Sequence, residues 1–139
     1  MISKQDFLIK ESVNAGDLKA KVISYRQQEE VYDRWLDERF ETVLPAIMKR
    51  SGIDTWVVAC EEYNEDPVVT YLTPMFMVTA RRKMILLFHL EEDGKVRKIV
   101  IGRPHIGLDG RYEEVWVNQK GSIWCKDPSR AETQMECLM

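Results

Sequence analysis

The sequence predicts an α/β domain: a mixed β-sheet with at least one antiparallel hairpin, flanked by helices. Three stretches carry that expectation. Residues 28–50 repeat apolar side chains every three or four positions, the period of one helix face. Residues 55–60, Thr-Trp-Val-Val-Ala-Cys, are apolar or β-branched without alternation, as in a strand covered on both faces. Residues 83–91 and 96–103 are two further strands joined by residues 92–95, a hairpin turn in which Gly94 is free to take positive φ.

Taken in order, residues 1–26 form an N-terminal arm with weak periodicity, a turn at 14–17 and a short strand or helix near 20–25. The domain proper is 27–139. Its first helix places Val31, Trp35, Leu36, Phe40, Val43, Leu44, Ile47 and Met48 on one stripe and Glu29, Glu30, Asp33, Asp37, Glu38 and Glu41 on the solvent side. Lys49 and Arg50 suit the negative end of the helix dipole, and Gly52 suits a left-handed cap. Pro45 removes the hydrogen bond to the carbonyl of Glu41, so a kink is expected in one continuous helix.

After the strand at 55–60 comes a polar loop, 61–66. Asp66-Pro67 then starts a short helix that Pro74 stops: the carboxylate accepts from orphan N–H groups and the proline has no N–H to lose. A crevice at such a strand end is where ligands sit in open sheets. Residues 76–80 suit a strand, and the alternation within 96–103 leaves that strand half exposed. Residues 102–111 are a Gly/Pro loop, and 112–117 form the last clear strand. Asp127-Pro128-Ser129 opens a helix whose Ala131, Met135, Leu138 and Met139 share a face, and its abrupt stop leaves the domain incomplete at its C-terminus. That uncovered face offers a route to self-association.

The net charge of −3 argues against a nucleic-acid partner, and Arg81-Arg82-Lys83 is too short for a basic stripe. Phe7-Leu8-Ile9 is far short of a signal-peptide core, and no stretch approaches the ~20 apolar residues of a membrane span. Cys60, Cys125 and Cys137 form no CxxC, which points to thiols in a reducing cytoplasm.

Catalytic signatures are sparse. His89 and His105 have no carboxylate or histidine at ligand spacing; His89 reads as a satisfied core or edge residue and His105 as a solvated one. There is no nucleophile elbow and no Gly-rich phosphate loop, and Cys60 reads as packing. Glu61, Glu62, Glu65 and Asp66 form the one acidic group. They suit acid–base work or the grip of an ammonium group, but the simpler reading has one of them capping the short helix and the rest solvated.

A succession of short patterns nevertheless resembles a known family. These are Arg50-Ser51-Gly52-Ile53-Asp54-Thr55-Trp56-Val57-Val58, Tyr63-Asn64-Glu65-Asp66-Pro67, Tyr71-Leu72-Thr73-Pro74, and Ala80-Arg81-Arg82-Lys83 before residues 84–88. Weaker echoes follow at 112–116 and 131–134. Together they resemble the N-terminal domain of the creatinase, prolidase and Xaa-Pro aminopeptidase family. The resemblance implies a ribonuclease-H-like sandwich that continues past residue 139, and a parent hydrolase that cleaves Xaa-Pro bonds. It also implies two divalent metal ions, of manganese or zinc type, held by a separate C-terminal catalytic domain, with no catalytic or metal-binding residue in this chain. The chain would roof the active site, with a substrate rim at Tyr63, Asn64, Glu65 and Asp66, joined by Arg82. Its partners would be that catalytic domain and other copies of the chain. The alternative is a catalytically inactive protein- or peptide-binding module of the same family.

Overall fold

Ser24 opens the long helix with a reciprocal cap: its hydroxyl accepts from the Gln27 amide at 3.4 Å, and its own amide donates to Gln27 Oε1 at 2.9 Å. In this computed structural model the described residues are Gly16 and 21–139, apart from 78, 81, 104–107, 109 and 124. The expectations for most of the arm, for Arg81 and for His105 lie outside the described residues. Helix α1 spans Tyr25–Glu38, a π turn follows at Arg39–Val43, and helix α2 spans Leu44–Ser51. The three form one run. The expected irregularity at Pro45 takes the form of the π turn, in which the Leu44 amide reaches back five residues to the Arg39 carbonyl. The Thr42 hydroxyl donates to the Glu38 carbonyl at 2.7 Å within the same widened turn. Gly52 ends the run at φ +63, with its own amide and that of Ile53 returning to the last carbonyls.

Strand β1 (Thr55–Glu61) pairs antiparallel with β2 (Lys83–Leu90), which pairs antiparallel with β3 (Val96–Ile101). Strand β4 (Glu113–Glu114) runs parallel to β3, giving the order β1-β2-β3-β4. The fold is therefore α/β, a long N-terminal helix followed by a mixed, mostly antiparallel sheet. Short helix α3 (Val69–Leu72) lies between β1 and β2; α4 (Gln134–Leu138) closes the chain.

The helix stripe narrows to Leu36, Phe40, Leu44 and Met48, all buried. They pack with Val58, Cys60, Met84, Leu86, Phe88 and Val100 in one core, where each fully buried large side chain contributes about 1.5–3 kcal/mol. Phe88 is its centre, with ring centroids 5.8 Å from Trp56 and 6.0 Å from Tyr112; Tyr112 in turn meets Phe40 edge-on at 5.7 Å. The Tyr112 hydroxyl donates to the Leu72 carbonyl at 2.5 Å, joining the sheet to α3. Tyr32 and Arg39 hold the other side of α3, donating to the carbonyls of Thr70 and Tyr71.

Several expectations are corrected. Strand β1 is not covered on both faces: it is an edge strand with alternating burial, and Val57 is 44% exposed. An apolar run does not reveal which strands will flank it. Phe76, Met77, Thr79 and Ala80 form no strand, because the Glu65 carboxylate, rather than a neighbouring ladder, accepts from the Thr79 hydroxyl and the Ala80 amide. The expected strand at 112–117 shrinks to Glu113–Glu114, and the chain then curls, the Val117 amide donating to the Val115 carbonyl. The helix expected from Asp127 is a single 3₁₀ turn, Pro128–Arg130, which extended Ala131 ends; Thr133 caps a new helix with Glu136. Asp33 and Asp37 do not simply face solvent: Arg111 grips Asp37 through two bonds of 2.7 and 3.1 Å and reaches Asp33 at 3.5 Å.

Candidate functional site

Strands β1 and β3 run toward one end of the sheet, and β2 starts there. At that end Glu61 closes β1, Lys83 opens β2 opposite it, and Arg103 follows β3. A cleft of ≈ 590 Å³ opens between these residues, Arg82 and a wall formed by Trp116, Lys120, Gly121, Ser122 and Ile123. Two glutamines frame it. Gln119 is buried, and its amide nitrogen donates to the carbonyls of Gly102 and Trp116 at 3.1 and 3.3 Å. Gln134 donates to the carbonyls of Lys83 and Ile101, each at 3.0 Å, and so ties α4 to the ends of β2 and β3. The Glu132 carbonyl fixes the wall, accepting from the Trp116 indole at 3.0 Å and from the Lys120 amide at 2.9 Å.

Loop 61–66 sits beside this cleft. The Asn64 amide donates to the Glu61 carbonyl, and the turn projects Tyr63 into solvent at 93% exposure and φ +68. Arg82 stands opposite at φ +70. The Glu62 amide donates to the Arg82 carbonyl at 2.7 Å, and the Arg82 amide donates to Glu62 Oε2 at 3.3 Å. These are the two described non-glycine residues with positive φ. A left-handed backbone costs a residue with a β-carbon about 1–2 kcal/mol, so the surrounding bonds hold both against their preference.

The structure thus brings Tyr63, Asn64 and Arg82 to one end of the sheet, but of the predicted rim residues only Arg82 lines the cleft. Glu65 and Asp66 are both engaged in bonds within the chain. The Thr79 hydroxyl donates to Glu65 at 2.6 Å, and this bond, with amide bonds behind it, holds the Glu65 carboxyl below the usual range. Asp66 accepts from the Val68 amide at 2.9 Å, as the helix-start reading expects. That acidic group is therefore less solvated than the simpler reading has it: Glu62 and Glu65 both stitch the loop to residues 79–82. Arg103, Trp116 and Lys120 carry no motif, and no local pattern links them to Glu61.

Other candidate groups are occupied. Burial pushes the Cys60 thiol up to about 11, with the Glu65 and Asp66 charges adding to it, and its sulfur lies 3.5 Å from the Met84 carbonyl. That disfavours the thiolate a nucleophile needs. His89 Nδ1 is 2.9 Å from the Thr55 hydroxyl across the edge pair. Among the described residues no group of three His, Cys, Asp or Glu side chains is placed to hold a metal ion, so the implied metal pair does not fit them. Nor, among these residues, is any helix long and apolar enough to cross a membrane. No protein-family model, curated protein or solved structure shows a significant match to this chain.

Proposed function

We propose that this chain is the non-catalytic N-terminal domain, or a fragment of it, of a metal-dependent Xaa-Pro dipeptidase or aminopeptidase. In this reading it roofs the active site of a catalytic domain and supports oligomerisation. The succession of short patterns from Arg50 to Phe88 supports the family and, with it, a ribonuclease-H-like sandwich as the finer form of the α/β fold. The observation that carries the roof is that two residues of positive φ, Tyr63 and Arg82, stand at the same sheet end, where Glu62, next to Tyr63, exchanges two hydrogen bonds with Arg82. Strain of this kind persists where the surroundings enforce it, and it clusters at ligand clamps. An exposed tyrosine and arginine at that edge would meet the substrate from above, exclude water and restrict entry to short peptides. Bond breaking would belong to groups of the catalytic domain.

The reading frame beyond residue 139 tests this. It is expected to encode two aspartates, a histidine and two glutamates in the order of that family. In the enzyme made from the whole frame, Tyr63→Ala should raise KM for Xaa-Pro dipeptides with kcat little changed. A downstream frame lacking the set, or Xaa-Pro hydrolysis by the 139-residue chain alone, contradicts the proposal. The second reading, an inactive peptide-binding module of the same family, is favoured by the outer edge of β1, which pairs with no strand among the described residues. Extended peptides add to such edges. A stop codon directly after Met139, with peptide capture lost in Val57→Pro, would select it.

A further inference from the structure

We infer that the cleft at the β1/β3 end binds a small organic anion, its oxyanion held by Arg82, Lys83, Arg103 and Lys120 and a flat body resting on Trp116. The charge balance is the first reason. The chain as a whole carries −3, yet this cleft is lined by four cationic residues and one carboxylate, Glu61, with Glu62 at the Arg82 amide and Glu136 near Lys120 beside it. Among the described residues none of the four cationic side chains makes an ion pair. A cavity of ≈ 590 Å³ is roughly 10 Å across, about one Debye length, so its wall charges are incompletely screened from each other. Empty, the cleft concentrates like charge; a dianion relieves it.

The hydrogen-bond inventory then narrows the ligand. The side-chain amides of Gln119 and Gln134 are committed to backbone carbonyls, and the Trp116 indole N–H is committed to Glu132. The lining therefore offers cations and an aromatic residue, while the side-chain N–H donors of both glutamines and of the indole are already used. Guanidinium and ammonium groups match phosphate oxygens, and an indole face accepts a planar ring. The volume lies within the range of small-molecule sites. The four cations converge on a concavity rather than following a stripe, which favours a compact ligand over a nucleic-acid strand. An aryl or nucleoside phosphate monoester has this chemistry, and so, more weakly, does an aryl carboxylate. The inference does not rest on the roof reading, because binding is read on this chain alone.

The experiment is an amide and indole NMR titration of the 139-residue chain in 150 mM sodium chloride, with phenyl phosphate, benzoate, inorganic phosphate and benzyl alcohol as separate probes. Phenyl phosphate should shift the Trp116 indole and the Gly121 and Arg103 amides saturably. Benzoate and inorganic phosphate should bind the same residues more weakly, and benzyl alcohol should leave them unmoved. The double variant R103Q/K120Q should lose at least about tenfold in phenyl phosphate affinity, with the remaining spectrum unchanged. Lys83→Gln alone should lose less, and Arg97→Gln, on the other side of the sheet, nothing. Equal response to benzyl alcohol, shifts scattered away from the cleft, full affinity in the double variant, or tighter binding of a thymidine oligonucleotide than of phenyl phosphate would each overturn it.

Discussion

The two ends of the sheet solve the same problems differently. At the hairpin end, positive φ falls on Gly94, at +86, and charges are matched. Of the ion pairs among the described residues, Lys95–Asp93 lies in the hairpin turn and Arg97–Glu113 next to it, while Arg111 with Asp33 and Asp37 ties the long helix to the loop before β4. At the cleft end, positive φ falls on Gly121 but also on Tyr63 and Arg82, which have a β-carbon, and four cations stand with none of those partners. One end satisfies local physics; the other departs from it twice in the same place. Such departures are where sites are expected, because a stable scaffold elsewhere must offset them.

The largest expected effect calibrates that contrast. Phe88 sits between the ends and touches both Trp56 and Tyr112, so Phe88→Ala should cost about 3–5 kcal/mol in denaturant unfolding and weaken amide protection at both ends alike. Loss confined to one end would mean that the two halves unfold separately. Next come two substitutions of opposite sign. A β-carbon at Gly94 meets Lys49 Nζ at 2.5 Å, which that mobile side chain relieves by moving. Gly94→Ala should still cost about 1–2 kcal/mol for the left-handed backbone. Tyr63→Gly should instead gain about 0.5–1 kcal/mol, the relieved strain less the entropy of a new glycine. Equal signs would erase the contrast.

Smaller effects sharpen the charge difference. Arg97→Gln should lose about 0.2–1 kcal/mol, whereas Lys83→Gln or Arg103→Gln should be neutral or slightly stabilising, more so at low salt. The smallest is a pH effect. The hydrogen bond from Arg111, helped by its charge, holds the Asp37 carboxyl below its ordinary value of 3.8, against a modest desolvation. A lowered folded value means that this contribution is complete above the unfolded value and is lost as pH falls through the folded one. Unfolding midpoints of wild type and Asp37→Asn should therefore differ at pH 6 and converge on acidification below ~4.

What could be read in advance follows the range of the interactions. The stripe Leu36, Phe40, Leu44, Met48 is legible because its period is written in neighbouring turns, and Gly52 and Asp66-Pro67 because caps act over two or three residues. Pro45 announces a lost hydrogen bond, but not that a π turn would absorb it. The exposure of Val57 depends on which face of β1 the core covers, which the run Thr55 to Cys60 does not encode. Glu65 reaches Thr79 and Ala80 from a distant loop, so its part in bracing that loop is not written in the residues around it. Arg82 is expected at the rim, but its left-handed backbone leaves no mark, since arginine is not a residue that prefers it. The cleft as a whole escapes the sequence because Glu61, Arg103, Trp116 and Lys120 meet only once the sheet has formed.

Arg82 joins both departures, since it is strained and lines the cleft. Paired measurement of unfolding free energy and phenyl phosphate affinity on Arg82→Gly is therefore the most direct test that this end of the sheet trades stability for binding. The account predicts that the variant unfolds about 0.5–1 kcal/mol later and binds several-fold more weakly. A variant no more stable than wild type, or one that binds as tightly, would contradict it.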